Sequence, residues 1–70
     1  SVETGDKVWA NEGTLYIRTE KGVMVRIYTP DGILRRQFVT VADGVTTRRP
    51  GQGIHIVTLN GGAGYKVLIE

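Results

Sequence analysis

The sequence that decides the fold is Gly53-Ile54-His55-Ile56-Val57-Thr58-Leu59, followed by Gly64-Tyr65-Lys66-Val67-Leu68-Ile69. The loop between them, Asn60-Gly61-Gly62-Ala63, is rich in residues that tolerate positive φ, as a hairpin loop requires. Residues 53–59 are apolar on both faces, which is typical of a strand buried on both sides. We therefore predict that residues 53–69 form the central hairpin of a β domain. We expect four of its side chains to be buried, namely Ile54, Ile56, Val67 and Ile69.

The rest of the chain reads as short strands separated by turns. Residues 14–19 and 23–28 alternate between apolar and other side chains, as half-buried strands do. Thr29-Pro30-Asp31-Gly32 is a turn signal, because Pro fixes φ at the second position and Gly accepts positive φ. No segment has helical periodicity. The pattern predicts an all-β fold, a small immunoglobulin-like antiparallel β-sandwich of about seven strands, with a small barrel as the alternative.

Length and composition limit the classes of function. Seventy residues form one domain with a small core, and the absence of Cys excludes disulfides and thiolate metal sites. The net charge is a mild +2. No run is long enough to span a membrane, so we expect no membrane span. Residues 1–6 are polar like a linker; we expect a linker from an upstream region, then a C-terminal β-sandwich domain over residues 7–70. An independent protein of seventy residues is the alternative.

Two pairs of consecutive arginines suggest an anion-binding cluster, which would comprise Arg35, Arg36, Arg48 and Arg49. The apolar phase of residues 33–41 switches near Gln37, which predicts a β-bulge there. If the strands around Ala42-Asp43-Gly44 form a hairpin, both pairs come close together, although at most one arginine of each pair then lines a given face. Such a cluster fits an anionic glycan, a lipopolysaccharide phosphate or a nucleic acid. The alternative is that charges on an edge strand prevent aggregation.

Catalytic chemistry has little support in the sequence. His55 is the only histidine, and a histidine between Ile54 and Ile56 is typical of a strand residue on a sheet face. No glycine-rich phosphate loop is present, and no spacing suggests a catalytic triad. We therefore expect no enzyme activity, no catalytic residues, no cofactor and no metal.

An aromatic and basic surface for nucleic acid is the remaining sequence-based possibility. Such a surface would combine aromatic rings for stacking with arginines for phosphate, and the candidates are Tyr16, Arg18, Arg26 and Tyr28. Ordinary cross-strand packing also accounts for these residues. Since the basic excess is small, we expect no nucleic-acid partner.

Four motifs occur in a fixed order: Val25-Arg26-Ile27-Tyr28, Asp31-Gly32-Ile33-Leu34, Gly53-Ile54-His55-Ile56-Val57 and Tyr65-Lys66-Val67-Leu68-Ile69. In this order and spacing the chain resembles the C-terminal sorting domain of the type IX (Por) secretion system and related terminal β domains of Bacteroidetes surface and secreted proteins. The resemblance covers roughly residues 14–69. The residues of the sorting-like motif are Gly53, Ile54, Ile56, Val57, Tyr65, Lys66, Val67 and Ile69.

The resemblance implies a non-catalytic sorting, anchoring or structural domain of a larger secreted or surface protein. Its partners would be an upstream passenger domain in the same chain and the secretion machinery or a surface glycan. Its location would be secreted or on the cell surface, at the outer-membrane exterior. The alternative is a β-sandwich binding module that holds an anionic glycan or lipopolysaccharide through the arginine cluster.

Overall fold

A computed structural model describes residues 5–70 of the chain. These residues form seven β-strands and no helix. The strands are β1 (Lys7–Asn11), β2 (Thr14–Thr19), β3 (Met24–Tyr28), β4 (Leu34–Val39), β5 (Gly44–Arg48), β6 (Gly53–Leu59) and β7 (Tyr65–Ile69). The predicted all-β class is therefore confirmed. A search for membrane-crossing helices found none among residues 5–70. Most of the predicted linker, residues 1–4, lies outside the described residues; its last residue, Asp6, accepts a hydrogen bond from the hydroxyl of Thr19 (3.0 Å).

The strands form two antiparallel sheets that pack as a sandwich. The three-stranded sheet has the order β1-β2-β5, and the four-stranded sheet has the order β4-β3-β6-β7. In the constant-type immunoglobulin arrangement the fourth strand joins the first sheet, whereas here β4 pairs with β3. Strands β1 and β7 lie side by side at one margin of the sandwich. The predicted antiparallel β-sandwich of seven strands is thus confirmed, with β4 on the sheet that contains the β6–β7 hairpin.

The core is a single layer of aliphatic side chains between the sheets. Alternation places every second residue of each strand inward, and the predicted inward faces of β2 and β3 are confirmed. The buried apolar residues are Leu15, Ile17, Val23, Val25, Ile27, Val57, Val67 and Ile69. Partly buried residues that pack against them are Val8, Ala10, Phe38, Leu59 and Tyr65.

The prediction that Ile54 and Ile56 are buried is wrong, whereas Val67 and Ile69 are confirmed as core residues. Val57 is the buried residue of β6. Because side chains alternate along a strand, Ile54 and Ile56 lie on the opposite face and point outward. Ile54 is 38% exposed. Strand β6 lies between β3 and β7, but only one face of its sheet is covered by the other sheet. Apolar residues on both faces therefore did not mean burial on both faces.

The bulge in β4 lies two residues before the predicted position. Arg36 is opposite Ile27, but Leu34 is opposite Tyr28, so Arg35 is the extra residue at the register shift. Directly opposed residues share a face of the sheet. Leu34 therefore lies on the outer face with Tyr28, although a regular strand would place it on the same face as Arg36. The prediction of a bulge near Gln37 is wrong in position.

A buried threonine joins the end of β4 to the turn between β2 and β3. Thr40 is 3% exposed. Its hydroxyl donates to the carbonyl oxygen of Glu20 (2.7 Å) and accepts from the N–H of Val23 (2.9 Å). Its backbone groups also bond to Gly22 and Val23. One side chain thus bonds to two backbone groups, of which the N–H of Val23 is buried.

We predict that core and outer-face isoleucines differ in their contribution to stability. Ile27→Ala should lower the free energy of unfolding by about 2–5 kcal/mol, because it leaves a cavity in a fully buried position. Ile54→Ala, the matched outward control, should cost only about 1 kcal/mol, from weaker strand propensity and partial burial. Urea denaturation of both variants measures the difference. Equal losses would contradict the assigned faces of β3 and β6.

We predict that the Thr40 hydroxyl stabilises the domain. Thr40→Val keeps the side-chain shape but leaves the N–H of Val23 and the carbonyl of Glu20 unsatisfied, at a cost of about 1–3 kcal/mol. Thr40→Ser retains the hydroxyl and should lose less. Thermal unfolding of the two variants compares them, and a more stable Val variant would refute the role of the hydroxyl.

Candidate functional site

Of the four predicted anion-binding arginines, Arg35 and Arg36 line one cleft, and Arg48 and Arg49 are not part of its lining. The predicted hairpin around Ala42-Asp43-Gly44 is wrong, because β4 pairs with β3 and β5 pairs with β2 in the other sheet. The segment between them crosses from one sheet to the other beside the β2–β3 turn. There the Asp43 carboxylate accepts a hydrogen bond from the backbone N–H of Lys21 (2.9 Å). Arg35 and Arg36 therefore belong to one sheet, and Arg48 and Arg49 lie at the end of a strand of the other sheet.

Arg48 and Arg49 both make contacts within the domain. The Arg48 guanidinium lies 4.0 Å from the centroid of the Phe38 ring and donates to the Thr47 carbonyl oxygen (2.8 Å). Because Phe38 is on β4 and Arg48 on β5, this cation–π contact joins the two sheets. Arg49 donates to the hydroxyl of Thr14 (3.1 Å). These two arginines support the sandwich at its margin.

Arg35 and Arg36 line one open cleft of about 450 Å³, which we call the arginine cleft. In a regular strand, consecutive side chains point to opposite faces. The bulge at Arg35 interrupts this alternation, and both arginines line the same cleft. The cleft is lined from both faces of the sheet, because the consecutive residues Ile54 and His55 of β6 also line it. That at most one arginine of each pair lines a given face therefore stays a prediction. Within residues 5–70, neither guanidinium forms a hydrogen bond or an ion pair.

The opposite wall of the arginine cleft is formed by Pro50, Gln52 and the start of β6. His55 holds this wall, because its Nε2 is 2.9 Å from the Gly51 carbonyl oxygen. A carbonyl can only accept, so Nε2 carries the proton and donates. Nδ1 is buried and has no partner among residues 5–70. Gly51 and Gly53 have φ of +103° and +114°, values that are strained for residues with a side chain. His55 is thus a positioning residue of the wall.

The sorting-like motif divides between the core and the surface. Val57, Val67 and Ile69 are core residues, and Tyr65 packs against them. Gly53 opens β6. The outward residues form a patch that we call the hairpin face, in which Ile54 is opposite Leu68 and Ile56 is opposite Lys66. The residues of the hairpin face are Ile54, Ile56, Lys66 and Leu68.

Leu68 is a residue of the hairpin face that the sequence analysis did not single out. It is 55% exposed, and it lies on the edge strand of the four-stranded sheet. The alternation of Val67, Leu68 and Ile69 contained the signal, since two buried neighbours on one face place the residue between them on the other.

The four residues considered for nucleic acid lie on opposite sides of the sandwich. Tyr16 and Arg18 face outward from the three-stranded sheet, whereas Arg26 and Tyr28 face outward from the four-stranded sheet. Tyr16 stacks on Trp9, with ring centroids 5.2 Å apart and planes 7° apart. Arg26 donates to the side-chain oxygen of Gln37 (2.9 Å). These residues form no single aromatic and basic surface.

The charges of the domain are unevenly distributed. None of the seven strands contains Asp or Glu, although most of them contain Lys or Arg. Within residues 5–70 no three carboxylates or histidines come together as metal ligands. The sheet faces are therefore basic or uncharged, and the acidic side chains lie in turns and at the ends of the chain.

Comparison with known proteins gave no match: no protein-family model, no curated protein sequence and no solved structure is similar to this chain. The fold and geometry define a small all-β sandwich with two surface features, the hairpin face and the arginine cleft. The resemblance to a type IX sorting domain stays a prediction.

We predict that Arg48 stabilises the sandwich and that Arg36 does not. Arg48→Ala should lower the free energy of unfolding by about 1 kcal/mol, because Phe38 loses its cation–π partner and its cover. Arg36→Ala should change it by less than about 0.5 kcal/mol, since its guanidinium has no partner within residues 5–70. Chemical denaturation of both variants tests this. A greater loss for Arg36→Ala would contradict the division of the arginines into two roles.

Proposed function

We propose that this domain is a non-catalytic sorting or anchoring module of a larger secreted or cell-surface protein, recognised by a partner through the hairpin face. The observation that carries the proposal is an uncovered apolar and basic patch on the β6–β7 hairpin, the part of the chain that contains the sorting-like motif. The partners would be an upstream passenger domain in the same chain and the secretion machinery of a bacterium of the Bacteroidetes.

The composition of the hairpin face suits protein recognition. Ile54, Ile56 and Leu68 supply apolar area beside the ammonium group of Lys66, and exposed apolar patches of this kind mark interaction sites. The patch extends onto β3, where Tyr28 is opposite Ile56. Strand β7 is the last strand of its sheet, and β1 lies beside it, so a partner would bind through the side chains of the hairpin face. Affinity would then come from this surface, without a deep pocket.

The geometry of His55 supports a function without catalysis. It is the only histidine in the chain. One ring nitrogen bonds to the Gly51 carbonyl oxygen, and the other is buried. A general base needs a nitrogen within hydrogen-bond reach of a substrate proton, and neither nitrogen of His55 is accessible in this way. The domain would act by recognition alone.

An export assay tests the sorting role. Residues 1–70 are fused to the C-terminus of a reporter with a signal peptide, in a bacterium that has the type IX system. Deletion of residues 65–70 is a poor variant, because it also removes Val67 and Ile69 from the core. Leu68→Glu instead changes an exposed residue of the hairpin face and leaves the core residues in place. Its matched control is Val45→Glu, since Val45 is 53% exposed on an outward position of the other sheet.

We expect the wild-type fusion and the Val45→Glu fusion to reach the cell surface, and the Leu68→Glu fusion to stay in the periplasm in folded form. A carboxylate in the apolar patch would have to lose its hydration when the complex forms, and this cost would weaken recognition. Protease accessibility on intact cells measures surface exposure. Periplasmic retention of the folded wild-type fusion would refute the sorting role, and equal export of both variants would refute recognition through the hairpin face.

A second candidate function is binding of an anionic glycan or lipopolysaccharide. The specific observation in its favour is the arginine cleft, in which two unpaired guanidinium groups face the same space. This version of the function needs only Arg35 and Arg36 of the four predicted arginines. Arg48 and Arg49 are held by Phe38 and Thr14.

A further inference from the structure

The β-bulge in β4 lies at two consecutive arginines that form no ion pair within residues 5–70. Arg35 and Arg36 are consecutive and line the same cleft. No acidic side chain of the described residues lines that cleft. Two cations on one wall repel each other, and together they attract an anion to the space between the walls, most strongly at low salt. Arg35 has no partner in the β3–β4 register, and together with Arg36 it makes this part of the surface positively charged.

The two guanidinium groups are also free to bind. Among the arginines with contacts, Arg26 bonds to Gln37, Arg48 covers Phe38 and Arg49 bonds to Thr14. Arg35 and Arg36 have no such contacts within residues 5–70. Their donors can therefore bind an oxyanion in the bidentate geometry that guanidinium groups favour.

The remaining lining of the arginine cleft suits a small, partly apolar ligand. Pro30, Pro50 and Ile54 provide apolar walls, and Gln52 adds a neutral amide. The volume of about 450 Å³ is within the usual range for small-ligand sites. The bond from His55 to Gly51 fixes the wall that carries Pro50 and Gln52, so that part of the site is formed before a ligand binds.

We propose that the arginine cleft binds one sugar unit that bears a carboxylate, sulfate or phosphate group. Arg35 and Arg36 bind the oxyanion, the Gln52 amide bonds to a hydroxyl, and the prolines contact the ring. A single-stranded nucleic acid fits less well, because its bases need aromatic faces and no Trp, Tyr or Phe lines this cleft. The inference rests on the second candidate function and is independent of the sorting role.

The test is a titration of the isotope-labelled 70-residue chain at low salt, followed by NMR. Four probes are compared: a hexuronate-containing disaccharide, a sulfated disaccharide, a sugar phosphate and a short oligothymidylate. We expect saturable shifts of the amides of Arg35, Arg36 and Gln52 with at least one sugar probe. The sugar that binds most tightly identifies the anionic group. Tighter binding of the oligothymidylate than of every sugar would overturn the ligand class.

Two double variants with the same loss of charge locate the site. Arg35→Gln/Arg36→Gln should weaken sugar binding about tenfold or more, the loss expected for charge-assisted hydrogen bonds. Arg18→Gln/Lys21→Gln is the control, because both positions lie outside the cleft lining, and it should weaken binding less than about twofold. Thermal unfolding establishes that both variants are folded.

The outcomes separate the site from the function. If no sugar probe binds to the wild-type chain at low salt, both the site and glycan binding are refuted. If a sugar binds and both double variants weaken it equally, the attraction is diffuse and the arginine cleft is refuted as the site, while glycan binding by the domain stands. Export of the reporter is measured separately and does not decide either result.

Discussion

The constraint on which the structure depends is that each sheet covers only one face of the other. The core is one layer of side chains, so every strand must keep its apolar residues in a single phase. A slip of one residue would turn the buried set toward solvent. Buried polar groups are therefore few, and Thr40 satisfies its two backbone partners with a single hydroxyl. Within residues 5–70, the alternation of inward and outward side chains is interrupted by a register shift in β4. Arg35 and Arg36 lie at this shift.

The sequence predicts a strand well where its alternation is strict. The faces of β2 and β3 follow directly from Leu15, Ile17, Val25 and Ile27. Strand β6 has apolar residues in both phases, and no local signal tells which phase meets the other sheet. Val57 decides it, through its place opposite Ile27 of β3. The bulge position could not be predicted for a similar reason, because it is a relation between β4 and the register of its neighbour.

The sequence shows which residue types could form a site, but it does not show which of these residues lie close together in the fold. The four arginines stand out as two pairs, yet their grouping depends on a crossover between sheets that neither pair encodes. Because β4 and β5 are in different sheets, Arg48 packs on Phe38 and does not line the cleft with Arg35 and Arg36. The hairpin motif was found as one unit, because β6 and β7 are adjacent in both the chain and the sheet. Local connections are thus predicted more easily than distant ones.

The stack of Trp9 on Tyr16 has a consequence for observing this domain in solution. Trp9 is the only tryptophan, and its ring lies against a side chain on the neighbouring strand. Its fluorescence therefore reports on the pairing of β1 with β2, at the outer face of one sheet. Strand β7 of the hairpin face lies beside β1, whereas no residue of β1 or β2 lines the arginine cleft. Tryptophan fluorescence is therefore better suited to follow binding at the hairpin face than binding in the arginine cleft.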